Sequence, residues 1–108
     1  MIKIVKEVFA KSLDINDGFL RSVQFVPGTA SYSVKRSVDD NGRMAEVTLE
    51  MTIPRYSRLL RDNLMVVVLL DDGTRRTLGT KDLPVRFEFK EDAVIRATCK
   101  WQVPEYEY

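Results

Sequence analysis

Two runs of strict alternation bracket a single turn, and they constrain the fold more than any other stretch of the chain. Ala30, Tyr32, Val34, Arg36 and Val38 share one parity. Ala45, Val47, Leu49, Met51 and Ile53 share the next, and Asp39-Asp40-Asn41-Gly42 lies between. A strand turns every second side chain to one face, so this period marks two half-buried strands. The Asp/Asn/Gly cluster marks the turn, where Gly42 takes a positive φ without steric cost and Asn41 tolerates one. The prediction is a long β-hairpin over residues 30–53.

The remainder fits around it. Phe19, Val23 and Phe25 share a parity and predict a short strand, punctuated by Pro27-Gly28. Pro54 closes the hairpin. On a helical wheel Tyr56, Leu59, Leu60 and Leu64 fall in one sector, with Arg55, Arg58 and Arg61 opposite, which predicts an amphipathic helix of about two turns. Leu64 to Leu70 is apolar without alternation and reads as a strand covered on both faces. Asp72-Gly73 turns it into a partner strand ending at Leu78. Val85, Phe87 and Phe89 alternate, and a last strand follows Glu91-Asp92, carrying Ala93, Ile95, Ala97, Cys99 and Trp101 on one face. Residues 2–13 support two readings. Ile2, Ile4, Val5, Val8, Phe9 and Leu13 follow helical spacing, whereas the β-branched content and the missing N-cap favour a strand.

The fold class expected is mainly β: a small antiparallel sandwich or barrel of about seven strands with one or two short helices. The 108 residues suffice for one domain with its own core. Its expected bounds are 1–103, with 104–108 as a flexible C-terminal tail.

Composition narrows the chemistry. There is no histidine and one cysteine, so the usual general base, the triad partner and a structural zinc set are missing. Cys99 has no imidazole to activate it and reads as a buried apolar side chain. The acid pairs Asp39-Asp40, Asp71-Asp72 and Glu91-Asp92 each sit between strands and read as turn chemistry. No D-x-D-x-D-G calcium loop occurs. We expect no enzyme activity, no cofactor and no metal.

Net charge is +1, which provides no bulk field for nucleic acid or an acidic membrane. No apolar run is long enough to span a bilayer as a helix, and no signal peptide is expected. The lone cysteine is compatible with the cytoplasm. Arg55, Arg58 and Arg61 are the candidate partner-binding residues: a solvated face, a docking surface for an acidic partner, since arginine is enriched at interfaces, or a phosphate or nucleic-acid contact.

One resemblance rests on a longer layout. Pro27-Gly28-Thr29-Ala30-Ser31-Tyr32-Ser33 leads to the Asp40-Asn41-Gly42 turn and then Val47-Thr48-Leu49-Glu50-Met51. Pro54, the Arg/Leu segment, Val66 to Leu70, Asp72-Gly73, Leu78-Gly79-Thr80 and Leu83-Pro84-Val85-Arg86-Phe87 follow. This resembles small tail- or neck-type proteins encoded in prophage structural modules of Bacteroides-like bacteria. The resemblance covers a little over half of the chain and implies a non-enzymatic virion or tail component, in the host cytoplasm or the virion. Its partners would be other protein subunits, copies of itself or phage structural proteins. The alternative expectation is a ligand- or peptide-binding β-module.

Overall fold

The computed structural model describes residues 2–15, 18–40 and 42–105. Eight strands form one curled antiparallel sheet, a half-barrel: β1 (Ile2–Ser12), β2 (Arg21–Ser22), β3 (Ser31–Asp39), β4 (Gly42–Ile53), β5 (Leu64–Leu70), β6 (Arg75–Leu78), β7 (Phe87–Glu91) and β8 (Ile95–Pro104). Their order is β6-β5-β1-β3-β4-β8-β7, with β2 on β1.

The predicted hairpin forms, with nine paired positions. It runs from Ser31↔Glu50 to Asp39↔Gly42, and Gly42 has φ 100°. Asn41 lies outside the described residues. β4 continues onto β8 over ten pairs, from Met44↔Pro104 to Ile53↔Ile95. The inner parity of this half is the core: Tyr32, Val47, Leu49, Met51, Ala97, Cys99 and Val103 are all buried.

Residues 2–13 resolve as strand, and a bulge explains their ambiguous pattern. The pairing of β1 with β5 shifts register between Val5 and Glu7. Val5 points inward, Lys6 and Glu7 are both exposed, and Val8, Ala10 and Ser12 point inward again. One extra residue in a strand changes parity, and two alternating runs joined out of phase imitate a helical spacing.

Two other expectations are corrected. The helix after Pro54 is a single 3-10 turn, Leu59–Arg61, with Leu60 buried. Ten residues, 54–63, link Ile53 to the buried Leu64, and within them one tight turn is enough to send Leu60 into the core. The strand around Phe19 to Phe25 shrinks to Arg21–Ser22. Phe19 is exposed beneath the Arg21 guanidinium, 4.5 Å from its ring centroid.

The sheet's two ends meet at one point. Leu64 N donates to Val85 O at 2.8 Å and Val85 N donates to Leu64 O at 2.9 Å. Trp101 Nε1 donates to Leu83 O at 3.0 Å and holds the incoming loop. Gly79 packs against this junction with φ 89°. At the far end β8 runs through Pro104, and Glu105 Oε1 lies 3.2 Å from Arg36 Nε. The expected tail is therefore tied down at its start, and 106–108 lie outside the described residues. No helix among the described residues is long and apolar enough to cross a membrane.

Candidate interaction surface

Registers decide which side chains reach the outside of the sheet. Partners across an antiparallel ladder share a face. On β1 and β5 the outward rows are Glu7↔Leu69, Phe9↔Val67 and Lys11↔Met65. β6 extends two of them, with Arg75 beside Leu69 and Thr77 beside Val67. Phe9, Met65, Val67 and Leu69 thus form a continuous apolar stripe that stays partly exposed. Their inward neighbours Val66, Val68 and Leu70 are fully buried. The sequence predicted cover on both faces of Leu64–Leu70; the fold covers one. The 3-10 turn sends Leu60 into the core and leaves the stripe open.

Beside this face, β1 parts from β3. Val5 N still donates to Ala30 O at 3.1 Å, and Val23 N donates to Val8 O at 2.8 Å. Between those two bonds the bulge opens a groove of about 740 Å³. Val5, Val8 and Val23 floor it; Phe25, Val26 and Pro27 form its far wall. That wall is anchored to β4: Val26 N donates to Thr52 O at 2.8 Å, and Thr52 N donates to Thr29 Oγ1 at 3.2 Å. Ile4, 58% exposed, stands at the mouth.

No α-helix forms to align the three candidate arginines, and each has its own neighbours. Arg55 lines a recess of about 250 Å³ with Gln24 and Leu59. Arg58 lines another of about 500 Å³ with Arg21, Phe19 and Asp62. Arg61 lies 5.5 Å from the Tyr56 ring centroid. Tyr56 packs edge-on against Phe89 at 5.7 Å and donates to Glu91 Oε2 at 3.0 Å. That hydrogen bond holds the phenol pKa above its usual value, because it favours the protonated form.

The acids at the turns are occupied by the turns. Asp72 Oδ1 accepts Thr74 N at 2.9 Å, and its other oxygen lies 3.4 Å from Lys3 Nζ. Asp92 Oδ1 accepts Val94 N at 3.3 Å. Among the described residues no three acidic or cysteine side chains converge on a possible metal position. Cys99 is buried beside Leu49, and burial pushes its thiol up to about 12, where a reactive thiolate does not form at neutral pH.

The outer stripe was visible as sequence in the unbroken apolar run of β5. Its partner Phe9 was not, because the bulge hid which face it takes. Comparison with protein-family models, with curated proteins and with solved structures found no match.

Proposed function

We propose that this chain is a non-enzymatic structural or assembly protein, a prophage virion or tail-associated component that acts through protein–protein contacts. One observation carries the reading. β5 is apolar on both faces, and only its inner face is covered by the chain's own fold. A contiguous apolar patch on a small domain is a contact surface or an aggregation hazard, and a strand built this way needs a second layer. The prophage setting is supported by the layout of residues 27–87. Catalytic chemistry has little to work with: histidine is absent from the sequence and the one thiol is buried with a raised pKa.

The test is binding. The purified chain, titrated against purified products of its neighbouring genes and followed by light scattering, should form a complex of defined stoichiometry with itself or with one of them. A chain that stays monomeric and binds none of them overturns the assembly reading.

The groove beside the β1 bulge favours a second reading, a ligand- or peptide-binding module. Val26→Asp would then abolish uptake of an apolar fluorescent probe that wild type binds. If both proteins ignore the probe, this second reading is lost.

A further inference from the structure

Building on that assembly reading, we infer that the β1–β5 outer face binds a second copy of this chain, face to face and antiparallel, about a two-fold axis along the Phe9–Val67 row. Three observations lead there: the apolar stripe, the placement of charge around it, and the register.

The register places three outward rows in sequence. Glu7 and Leu69 form the first, Phe9 and Val67 the second, Lys11 and Met65 the third. Glu7 and Lys11 thus flank Phe9 symmetrically on β1, one acid and one base, two residues to either side. A two-fold axis in the plane of the interface, running along the middle row, exchanges the first and third rows. It sets Phe9 over Phe9 and Val67 over Val67 of the second copy. Leu69 then faces Met65, and Glu7 faces Lys11, twice. An isologous interface must be self-complementary, and this surface meets that condition in both shape class and charge. Sheets stack about 10 Å apart through apolar side chains, a spacing that the four stripe residues can fill. Arg75, beside Leu69 on β6, falls at the rim, where a charged side chain keeps its water.

The other surfaces carry less. Beyond Ser33 no strand lies along the outer edge of β3 among the described residues, and nothing in that edge selects an occupant. The groove at the bulge is apolar, with Lys6 and Glu7 on the same rim, so its charge does not select a ligand either.

The arrangement makes a prediction that a merely sticky face does not. Glu7→Lys places lysine opposite Lys11 of the second copy, and Lys11→Glu places two acids opposite each other. Each single reversal should weaken dimerisation by roughly tenfold or more. The double reversal restores both pairs, so it should return to within about threefold of wild type. Glu7→Lys mixed with Lys11→Glu should form the heterodimer in preference to either homodimer. Val67→Lys, which sets two lysines face to face on the axis, should be monomeric.

The experiment is sedimentation equilibrium on the full chain and these variants, with circular dichroism to confirm that each is folded. Concentration-dependent dimerisation lost in the singles and Val67→Lys, and recovered in the double, establishes the arrangement. A wild type that is monomeric at every concentration overturns the homodimer. Assembly with a different protein would survive that result, since it is read independently in the neighbour titration. A wild-type dimer indifferent to Val67→Lys, or singles that the double does not rescue, also overturns the proposed interface.

Discussion

The outside of this sheet carries two chemistries. Over β3, β4 and β8 the outward rows are Ser33↔Thr48↔Lys100 and Ser31↔Glu50↔Thr98, and β7 adds Glu88. These are short hydroxyls and mixed charges, the composition of a solvated face. Over β1 and β5 the corresponding rows carry Phe9, Val67, Met65 and Leu69. Both halves bury the same kind of inner face, with Val47 and Leu49 on one side and Val66 and Val68 on the other, all fully buried. The fold therefore needs apolar residues at every second position in both halves. Only in β5 does the sequence fill the intervening positions as well. Core formation does not require that addition, so it is the part of the sequence free to serve a partner.

The largest expected effect tests this division on one strand. Val66 and Val67 are adjacent in β5 and point to opposite faces. Val66→Lys buries an unpaired ammonium and should cost on the order of 4 kcal/mol or more, leaving little folded protein. Val67→Lys, measured in dilute solution where the chain is monomeric, should cost within about 1 kcal/mol. Urea midpoints by circular dichroism decide it. Equal losses at the two positions would mean that the outer face is part of the core, and the contrast between the halves would collapse.

How much of this could be read beforehand follows the same division. The β3–β4 hairpin was legible because Ala30 to Val34 and Ala45 to Ile53 keep one period on either side of one turn, although Val38, of the same parity, ends up exposed. Val85, Phe87 and the Ala97-Cys99-Trp101 face were legible for the same reason. β1 was not, because the extra residue at Lys6 breaks the period that identifies a strand. The segment after Pro54 suggested a helix, since Leu59, Leu60 and Leu64 lie within one sector of a wheel. Leu60 and Leu64 are buried from a 3-10 turn and a strand respectively, so the spacing was met by two elements in place of one. The candidate site was half legible. The non-alternating run was evident, but its row partners Phe9, Glu7 and Lys11 depend on a long-range register that local patterns do not encode. The helical wheel that grouped Arg55, Arg58 and Arg61 does not apply, because the segment forms a single 3-10 turn.

A second contrast separates two glycines, one in each half. Both have positive φ, 89° at Gly79 and 100° at Gly42. A Cβ at Gly42 meets nothing within 4 Å, whereas one at Gly79 lies 2.5 Å from Leu64 O and 3.0 Å from Val85 Cγ2. Those atoms belong to the pair that joins the sheet's ends. Gly42→Ala should cost about 1 kcal/mol, from backbone strain alone. Gly79→Ala adds a clash with backbone at the closure and should cost about 3 kcal/mol. Thermal unfolding of the two variants ranks them. If Gly42→Ala were the more damaging, the closure at Leu64–Val85 would contribute less to stability than the hairpin turn.

The smallest effect lies where β1 is tied to the start of β5. Asp14 accepts Asn63 N and Asn63 Nδ2, each at 3.0 Å, and Ser12 Oγ donates to Asp62 Oδ2 at 2.7 Å. The Asn63 backbone N–H, then its side-chain amide, holds the Asp14 carboxyl below its ordinary value. Thr74, and more weakly Lys3, do the same for Asp72 at the other end of the pair. A carboxylate with a depressed folded pKa binds its proton more weakly in the folded chain than in the unfolded one. Its contribution is therefore complete above the unfolded pKa, near about 3.9, and is lost as the pH falls through the lower folded value. Both groups are exposed, so solvent keeps the effect small. Asp14→Asn retains one acceptor oxygen and removes the titration. Plotted against pH, the wild-type urea midpoint should exceed that of Asp14→Asn at neutral pH and converge on it below about pH 4. Parallel curves would show that the Asn63 contacts do not depend on the charge of Asp14, and that the joint is held by Leu13 N donating to Asn63 O at 2.8 Å and by the Ser12–Asp62 hydrogen bond alone.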